Sequence, residues 1–270
     1  MAGAERGGLA DKPVEEFSPG RAEFLGVTFD TLTLEDLMKR IKGRRADAPF
    51  AYVITPNTDH VVRFNRAPEA VEAIYRDAAF TVCDSRILAA LAKFSGIVLT
   101  TVPGSEFTAR FIGEAIDRDD SVLVVGGDAE QIERLKAIYG LRNVEHFDAP
   151  MNLAQDPVAR RETAQFVLSH PARYIFFALG SPQQEFVAHE VWRSGQAIGT
   201  GLCIGASIDF LTGKAKRAPR VMQSLKLEWL YRLIREPGRL WRRYLVEDVQ
   251  VFAIYRRWRR HRSKQAQGSK

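Results

Sequence analysis

Six short segments of this chain combine glycines with polar side chains of the kinds that bind phosphates or move protons. They are Thr55-Pro56-Asn57, Asp84-Ser85-Arg86, Pro103-Gly104-Ser105-Glu106, Gly126-Gly127-Asp128, the segment from Gly180 to Glu185, and the segment from Gly201 to Asp209. Glycines let backbone amides approach a phosphate closely, and a helix that starts after them adds the positive end of its dipole. One such segment alone is more typical of an ordinary strand-to-helix turn. Six together favour a ligand that carries phosphates.

Asp84 is the residue in these segments best suited to proton transfer. It comes directly after the apolar run Phe80-Thr81-Val82-Cys83, which reads as a buried strand. A carboxylate at that place, facing segments that favour phosphate, can serve as a general base. Its position fits an N-cap of the following helix at least as well. The residues alone leave both interpretations open.

Other motifs are weaker. The run from Gly199 to Gly205 has the glycine content of a dinucleotide-binding loop, but it comes late in the chain and does not open an early strand-helix unit. Asp117-Arg118-Asp119 has the Asp-x-Asp pattern of metal-dependent sugar transferases, yet it precedes a strand and is predicted at the opposite edge of the sheet, as surface charge. The five histidines lack metal-ligand spacing, and His60 and His189 are predicted to be solvated or to cap helices. No metal site is expected.

The elements that must position these segments alternate between strands and helices. Strands are predicted at 50–55, 80–83, 97–102, 121–125, 174–179 and 197–203, and helices at 33–43, 58–65, 67–77, 85–94, 105–117, 129–139, 157–169 and 183–193. This order predicts an α/β fold, with a Rossmann-like parallel sheet and helices on both faces. Ligands bind at the carboxyl ends of the strands in such sheets, which is where the polar segments fall.

The last fifth of the chain is strongly basic. From Lys214 to Lys264 there are sixteen Lys and Arg against four acidic residues, a net charge of +12, whereas the whole chain carries +6. Aromatic and aliphatic residues are interspersed among these cations, which is typical of a helical segment that meets an anionic surface, either membrane headgroups or nucleic acid. A solvated basic tail is the simpler alternative, but its apolar content would be unusually high.

Composition limits the remaining possibilities. The chain has 270 residues, 46% of them hydrophobic, which is enough for one substantial core. Cys83 and Cys203 lie in apolar runs and give no disulfide framework, as expected of a cytoplasmic protein. There is no apolar run of eighteen residues, so contact with a membrane is predicted to be superficial. The predicted parts are a disordered lead at 1–20, an α/β domain at 21–213, a basic helical appendage at 214–262 and a tail at 263–270.

Taken in order, these segments resemble the WecG/TagA/CpsF family of bacterial glycosyltransferases. The resemblance extends from about Phe24 to Tyr244 and adds two specific stretches to the loops described above. One is the run from Gly201 to Phe210. The other is Lys216-Arg217-Ala218-Pro219 through Leu227-Glu228-Trp229-Leu230-Tyr231-Arg232 to Glu236-Pro237-Gly238-Arg239.

The resemblance implies an inverting, metal-independent transferase without a cofactor. It would move a sugar (N-acetylmannosamine, its uronic acid or a glucose-type sugar) from a UDP donor to a polyprenyl-diphosphate-linked saccharide in cell-surface polysaccharide synthesis. Asp84 matches the base of the family, and Thr55, Asn57 and Gln184 match polar residues at the sugar end of the pocket. Family members commonly have Gly directly after the catalytic Asp, whereas this chain has Ser85, so the shape of that loop is expected to differ.

The resemblance also assigns roles to the glycine-rich loops and the basic segment. The donor nucleotide would be held by Gly104, Ser105, Gly126, Gly127, Gly180, Gln184, Gly201 and Gly205. Arg232, Arg239 and Arg242 would close over the site and stabilise the departing UDP, because guanidinium groups can replace a metal in that task. Trp241, Arg256, Arg257, Arg259 and Arg260 would bind an anionic membrane surface.

The expected location is therefore the cytoplasmic face of the bacterial inner membrane, as a peripheral protein. The alternative is a nucleic-acid-binding or RNA-modifying α/β protein whose basic C-terminal arm holds a phosphate backbone. For the transferase, no nucleic-acid partner is expected.

Overall fold

The computed structural model describes residues 20–215, 238 and 249–268. Its strands are β1 Arg21–Phe24, β2 Val27–Asp30, β3 Ala51–Ile54, β4 Phe80–Thr81, β5 Val122–Val125, β6 Val144–Phe147, β7 Tyr174–Phe177 and β8 Thr200–Cys203. Its helices are α1 Leu34–Lys42, α2 Thr58–Arg66, α3 Pro68–Asp77, α4 Arg86–Lys93, α5 Gly104–Arg110, α6 Ala129–Tyr139, α7 Pro157–Ser169, α8 Gln183–Arg193, α9 Ser207–Leu211 and α10 Gln250–Gly268. A π-helical turn, Phe111–Ala115, follows α5 directly.

Strands β3 to β8 form one parallel sheet in the order β4-β3-β8-β7-β5-β6. The register is regular in the centre, where Val122 of β5 lies opposite Tyr174 of β7 and Val125 opposite Phe177. Strands β1 and β2 form a separate antiparallel hairpin. A parallel sheet with helices on its faces confirms the predicted α/β, Rossmann-like class.

Both faces of the sheet are buried. Val122 and Val124 pack on one face in a core shared with α1, α5, α6 and α9, whereas Leu123 and Val125 pack on the other face with α3, α7 and α8. Successive side chains of a strand point to opposite faces, so a strand covered twice must be apolar throughout. This is why β5 and β7 were recognisable as continuous apolar runs.

A third core joins the β1–β2 hairpin to α2, α4 and α10. Val251, Ile254 and Tyr255 of α10 are buried there, and the rings of Phe24 and Trp258 lie 5.2 Å apart in an edge-on arrangement. The end of the basic segment is thus packed against the body of the protein, and α10 continues to Gly268, beyond the boundary expected at 262. No helix in the described part of the chain is long and apolar enough to cross a bilayer.

The predicted elements differ from the structure in four places. The β1–β2 hairpin, β6 and α9 were not predicted, and the strand predicted at 97–102 is wrong, since only an isolated bridge joins Thr101 to Cys83. That segment has little to pair with, because β4 is two residues long. The Asp117-Arg118-Asp119 prediction is confirmed: the motif precedes β5, and Asp119 forms an exposed ion pair with Arg142.

Candidate active site

The turns that follow β3, β5, β7 and β8 meet at the carboxyl edge of the parallel sheet, beside the loop that contains Asp84. Four glycines in these turns have positive φ, namely Gly126, Gly127, Gly180 and Gly205. At Gly126 a side chain is disfavoured by the positive φ and also by space, because a Cβ atom there would lie 2.8 Å from the carbonyl oxygen of Ala178. The glycines predicted from the sequence therefore form tight, backbone-lined turns at the edge where ligands bind.

Asp84 and Thr55 come together at Gly104. A Cβ atom on Gly104 would lie 3.2 Å from the Asp84 Oδ2 oxygen and 3.2 Å from the Thr55 Oγ1 oxygen. The backbone amide of Asp84 donates to the carbonyl of Pro56 at 2.9 Å, which ties its loop to the turn after β3. Asp84 and Thr55 are both half-buried. The missing side chain of Gly104 leaves room beside a carboxylate and a hydroxyl.

Ser85, not Asp84, caps helix α4. The Ser85 hydroxyl accepts a hydrogen bond from the Leu88 amide at 3.2 Å and lies 3.0 Å from the hydroxyl of Thr58. The N-cap interpretation of Asp84 is therefore wrong. The Ser85 side chain therefore forms the cap and also joins the starts of α4 and α2.

Asn57 is fixed by the helix that it caps. Its Oδ1 oxygen accepts from the Asp59 amide at 3.1 Å and lies 2.8 Å from Nδ1 of His60. The other ring nitrogen of His60, Nε2, lies 3.2 Å from Oε1 of Glu185. Nδ1 of His60 also accepts a hydrogen bond from the backbone amide of Asn57, at 3.4 Å. Because Oδ1 of Asn57 is occupied, its Nδ2 amide is the part of that side chain suited to contact a ligand.

His60 and Glu185 form a buried ion pair behind the site. Their side chains are only 8% and 4% exposed. Burial alone would raise the pKa of Glu185, but hydrogen bonds from His60 and Gln184, together with the charge of His60, lower it below its usual value. Sequence reasoning missed this pair, since His60 was expected to be solvated or to cap a helix. The cap is confirmed, but the ring is buried.

Gln184 connects this pair to the turn after β8. Its Nε2 amide donates to Glu185 Oε1 at 2.8 Å, and its Oε1 oxygen accepts from the backbone amide of Gly205 at 2.7 Å. The side chain is buried and both of its polar atoms are occupied. The structure thus places Gln184 where it positions the Gly205 turn, underneath the predicted sugar end of the pocket.

A second polar cluster holds the turns after β5 and β8 together. Gln131 donates to Asp209 at 2.6 Å, and Lys214 donates to Asp128 at 2.7 Å and to Gln131 at 3.2 Å. The hydrogen bond from the Lys214 ammonium lowers the pKa of Asp128. Lys214 is the first residue of the basic segment, so this cluster attaches the segment beside the glycine turn of β5.

The predicted donor-binding residues divide into two groups. Gly126, Gly127, Gly180 and Gly205 lie in turns of the carboxyl edge, and Gly104 and Ser105 lie in the first turn of α5. Gly201 instead lies within β8, where a Cβ atom would be 2.6 Å from the Phe50 ring and 2.9 Å from the Phe177 ring. Gly201 is needed for packing between these rings, and its role as a nucleotide contact stays a prediction.

The predicted residues of the basic segment are only partly described. Arg232, Arg239, Trp241 and Arg242 lie outside the described residues. Arg256, Arg257, Arg259 and Arg260 are exposed on α10, on the side turned away from its buried face. In the described part of the chain, no three His, Cys, Asp or Glu side chains are grouped in a way that could hold a metal ion.

Comparison with known proteins identifies the family of this chain. The chain matches the model of the glycosyl transferase WecG/TagA/CpsF family over residues 22–265. It is 29% identical over 211 residues to an N-acetylglucosaminyldiphosphoundecaprenol N-acetyl-beta-D-mannosaminyltransferase of Bacillus spizizenii, covering 76% of this chain and 78% of that protein. A protein of the same name from Staphylococcus aureus strain MW2 is 24% identical over 248 residues, which cover 88% of this chain and 92% of the relative.

The family match includes every loop of the site described above. It confirms the interpretation as a glycosyltransferase over the nucleic-acid-binding alternative, and it agrees with a parallel sheet whose carboxyl edge is lined with glycine turns around a carboxylate. On this evidence the chain belongs to the WecG/TagA/CpsF family of glycosyl transferases.

Proposed function

We propose that this enzyme transfers N-acetylmannosamine from a UDP donor to an N-acetylglucosamine unit linked through diphosphate to a polyprenyl lipid. The names of the two relatives support the sugar and the acceptor. The observation that carries the proposal is the convergence of Asp84 and Thr55 at Gly104, where an acceptor hydroxyl can approach the carboxylate. The uronic acid of this sugar and glucose-type sugars are the other donors to be compared.

The proposed reaction is a single displacement with inversion. Asp84 accepts the proton of the acceptor hydroxyl as that oxygen attacks the anomeric carbon, and the bond from this carbon to the UDP oxygen breaks with its electron pair leaving on UDP. Thr55 and the Nδ2 amide of Asn57 hold hydroxyl or acetamido groups of the sugars. The buried pair of His60 and Glu185 keeps Asn57 oriented through the 2.8 Å contact to its Oδ1 oxygen.

Two sets of groups stabilise the leaving diphosphate in this proposal. The turns at Gly126-Gly127, Gly180 and Gly205 offer backbone amides, and the first turn of α5, with Gly104 and Ser105, adds the positive end of a helix dipole. Arg232, Arg239 and Arg242 would supply guanidinium groups from the basic segment. With those charges in place, the reaction proceeds without a bound metal ion.

We place the enzyme on the cytoplasmic face of the bacterial inner membrane as a peripheral protein. Its polyprenyl acceptor is embedded in lipid, and Arg256, Arg257, Arg259 and Arg260 present exposed cations on α10. Each such cation contributes about 1 kcal/mol near an anionic leaflet. Trp241 would add an aromatic anchor at the interface.

The experiment that tests this function measures UDP release by the full chain with a panel of UDP-sugars and a short-chain polyprenyl-diphosphate N-acetylglucosamine, in the presence of a chelator. We expect release from UDP-N-acetylmannosamine that requires the acceptor and survives chelation. Release that stops on chelation would contradict metal independence, and a preference for another sugar would reassign the donor. Analysis of the anomeric configuration of the product by NMR tests inversion.

The matched variant is Asp84→Asn, which keeps the shape of the side chain and removes its basicity. We expect turnover to fall by about two to four orders of magnitude, the usual contribution of a positioned base. Donor affinity, measured by calorimetry with UDP, should stay within about twofold of wild type because Asp84 faces the acceptor. A variant that retains more than a tenth of the wild-type rate would remove Asp84 from the role of base.

A further inference from the structure

Helix α4 leads away from Asp84 and carries an exposed apolar stripe. Ile87 is 46% exposed, and Phe94 and Val98, at the end of the helix and in the turn beyond it, are each 79% exposed. Ala90 lies between them and is also exposed. Positions 87, 90 and 94 fall on one side of a helix. Large apolar side chains this exposed, aligned over about 12 Å of helix, indicate a contact surface.

The two segments that form this face carry charges of one sign. The segment 86–98 contains Arg86 and Lys93 and no acidic residue, and both cations are exposed. Helix α10 continues the pattern, since residues 250–264 contain five arginines and one lysine and again no acid. An apolar stripe on cationic segments is complementary to a surface that offers both hydrocarbon and negative charge.

Direct contacts join the two helices into one face. The Ser95 hydroxyl lies 2.8 Å from the Tyr255 hydroxyl, and Arg262 donates to the Ser95 carbonyl at 3.2 Å. The Arg262 guanidinium also lies 5.3 Å from the centre of the Trp258 ring. The turn that carries Phe94 and Val98 is therefore held against α10, the helix with the most cations among the described helices.

From these observations we propose that the α4 stripe (Ile87, Ala90, Phe94 and Val98) is the surface with which this protein enters an anionic lipid bilayer. Phe94 and Val98 insert between the headgroups, while Arg86, Lys93 and the arginines of α10 contact lipid phosphates. The stripe begins three residues after Asp84. This arrangement places Asp84 beside the membrane that holds the lipid-linked acceptor, a consequence that rests on the proposed function.

A second copy of the chain fits this face poorly. A twofold contact through the stripe would bring Arg86 and Lys93 of one copy against the same residues of the other, with no acid in the segment to neutralise them. Like charges at an interface oppose association. The charges therefore favour lipid over self-association.

The test measures binding of the full chain to vesicles of phosphatidylglycerol and phosphatidylethanolamine, with no sugar donor or acceptor present. We expect Phe94→Ser with Val98→Ser to weaken binding about tenfold or more, because two apolar side chains no longer enter the bilayer. The matched control is Ile138→Ser with Val158→Ser, which removes side chains 56% and 55% exposed from α6 and α7 and should leave binding unchanged. Equal binding by wild type and the α4 variant overturns the proposal.

A fluorescent label at position 98 reports insertion of the α4 stripe into the bilayer directly. Cys83 and Cys203 are buried, so a cysteine at Val98→Cys can be labelled selectively with a polarity-sensitive dye. Its emission should shift to the blue on addition of anionic vesicles, whereas the same dye at Ile138→Cys should not respond. Absence of a shift at position 98, or a wild-type dimer that the α4 substitutions dissociate, contradicts lipid insertion.

Failure of this inference is separable from failure of the proposed function. Activity of the α4 variant on a water-soluble acceptor should match wild type, since Phe94 and Val98 are exposed and follow the C-terminal end of α4, whereas Asp84 precedes its N-terminal end. If the α4 variant loses vesicle binding but keeps full activity on the soluble acceptor, the α4 stripe is supported as the membrane-binding surface. If the wild-type protein binds vesicles but transfers no sugar, the proposed donor or acceptor is refuted, whereas the proposed membrane-binding surface is not.

Discussion

At the scale of single residues, the absence of one side chain decides whether the base can be reached. Gly104 starts α5, and alanine is a better helix former there by up to about 1 kcal/mol. Its Cβ atom would nevertheless lie 3.2 Å from both the Asp84 carboxylate and the Thr55 hydroxyl. Gly104→Ala is thus expected to favour the fold and to obstruct the chemistry.

We predict that Gly104→Ala unfolds at the wild-type temperature or above it while kcat/KM for the acceptor falls about tenfold or more, which corresponds to about 1.4 kcal/mol of lost transition-state stabilisation. Gly113→Ala is the control, because a Cβ atom there meets only the Tyr139 ring, at 3.6 Å. Thermal unfolding and steady-state kinetics of the two variants check this. Wild-type kinetics for Gly104→Ala would mean that the acceptor does not pass this point.

The buried His60–Glu185 pair makes acid stability a second measurable property. The pKa of Glu185 is lowered in the folded protein, so the unfolded chain takes up this proton at a higher pH than the folded one. The stabilisation is complete above the usual glutamate pKa of 4.5 and is lost as pH falls through the lower, folded value. In Glu185→Gln this part of the pH dependence should be absent.

The same variant should be less stable at neutral pH by about 1–3 kcal/mol, because the buried contacts from His60 and Gln184 then end on a neutral amide instead of a carboxylate. Glu190→Gln is the control. Glu190 forms an ion pair with Arg160, and the two side chains are 30% and 22% exposed, so the free energy of unfolding should fall by less than about 1 kcal/mol. Denaturant unfolding between pH 3 and pH 7 measures both quantities. An unchanged acid slope in Glu185→Gln would contradict the assigned ionisation.

At the scale of elements, helix capping links sequence to site. The Ser85 hydroxyl caps α4 and contacts Thr58, so it fixes where the helix after Asp84 begins. We predict that Ser85→Ala lowers the free energy of unfolding by about 1 kcal/mol, and that Ser85→Gly lowers it by less because glycine is tolerated as an N-cap. Equal losses in urea titrations would attribute the effect to the Thr58 contact instead of the cap.

Helices and strands were predicted where the sequence carries a strong local signal and were missed where that signal is weak. Helices such as α6 and α8 were predicted to the residue because an apolar face of period 3.6 and their start signals agreed. The β1–β2 hairpin was missed because its turn, Leu25-Gly26, places a leucine at φ 54°, whereas hairpin signals rely on Asn or Gly there. Strand β6 was missed because Val-Glu-His-Phe at the sheet edge lacks a continuous apolar run.

The same distinction between local and tertiary signals applies to the candidate site. Residues fixed by local sequence, such as Asp84 after its strand and the glycines with positive φ, were found. Those defined by contacts across the fold were not: the pairing of His60 with Glu185 spans 125 positions, and Gly201 is required by Phe50 and Phe177 from other strands. Sequence order alone carries no signal for such tertiary contacts, although an acid within an apolar helix, as at Glu185, is a usable hint.

At the scale of the whole molecule, α10 has two faces with separable tasks. One face buries Val251, Ile254 and Tyr255 against the hairpin, α2 and α4, and the other exposes the arginines. Each buried side chain contributes about 1.5–3 kcal/mol. A chain that ends before α10 therefore loses part of its core as well as its cations, so a loss of membrane binding on truncation would not by itself identify the groups that bind lipid.

Substituting the exposed face alone separates these effects. We predict that Arg256→Gln with Arg257→Gln and Arg260→Gln leaves the unfolding temperature within about 2 °C of wild type, since exposed substitutions rarely change stability by more than about 0.5 kcal/mol. The free energy of binding to anionic vesicles should become less favourable by about 1 kcal/mol per substituted arginine. Added salt should weaken the remaining binding less steeply than it weakens wild-type binding. Ending the chain at residue 248 should instead destabilise the protein by about 5 kcal/mol. If both variants unfold like wild type, α10 contributes nothing to the core, and its docking against Phe24 and Ser95 would be refuted.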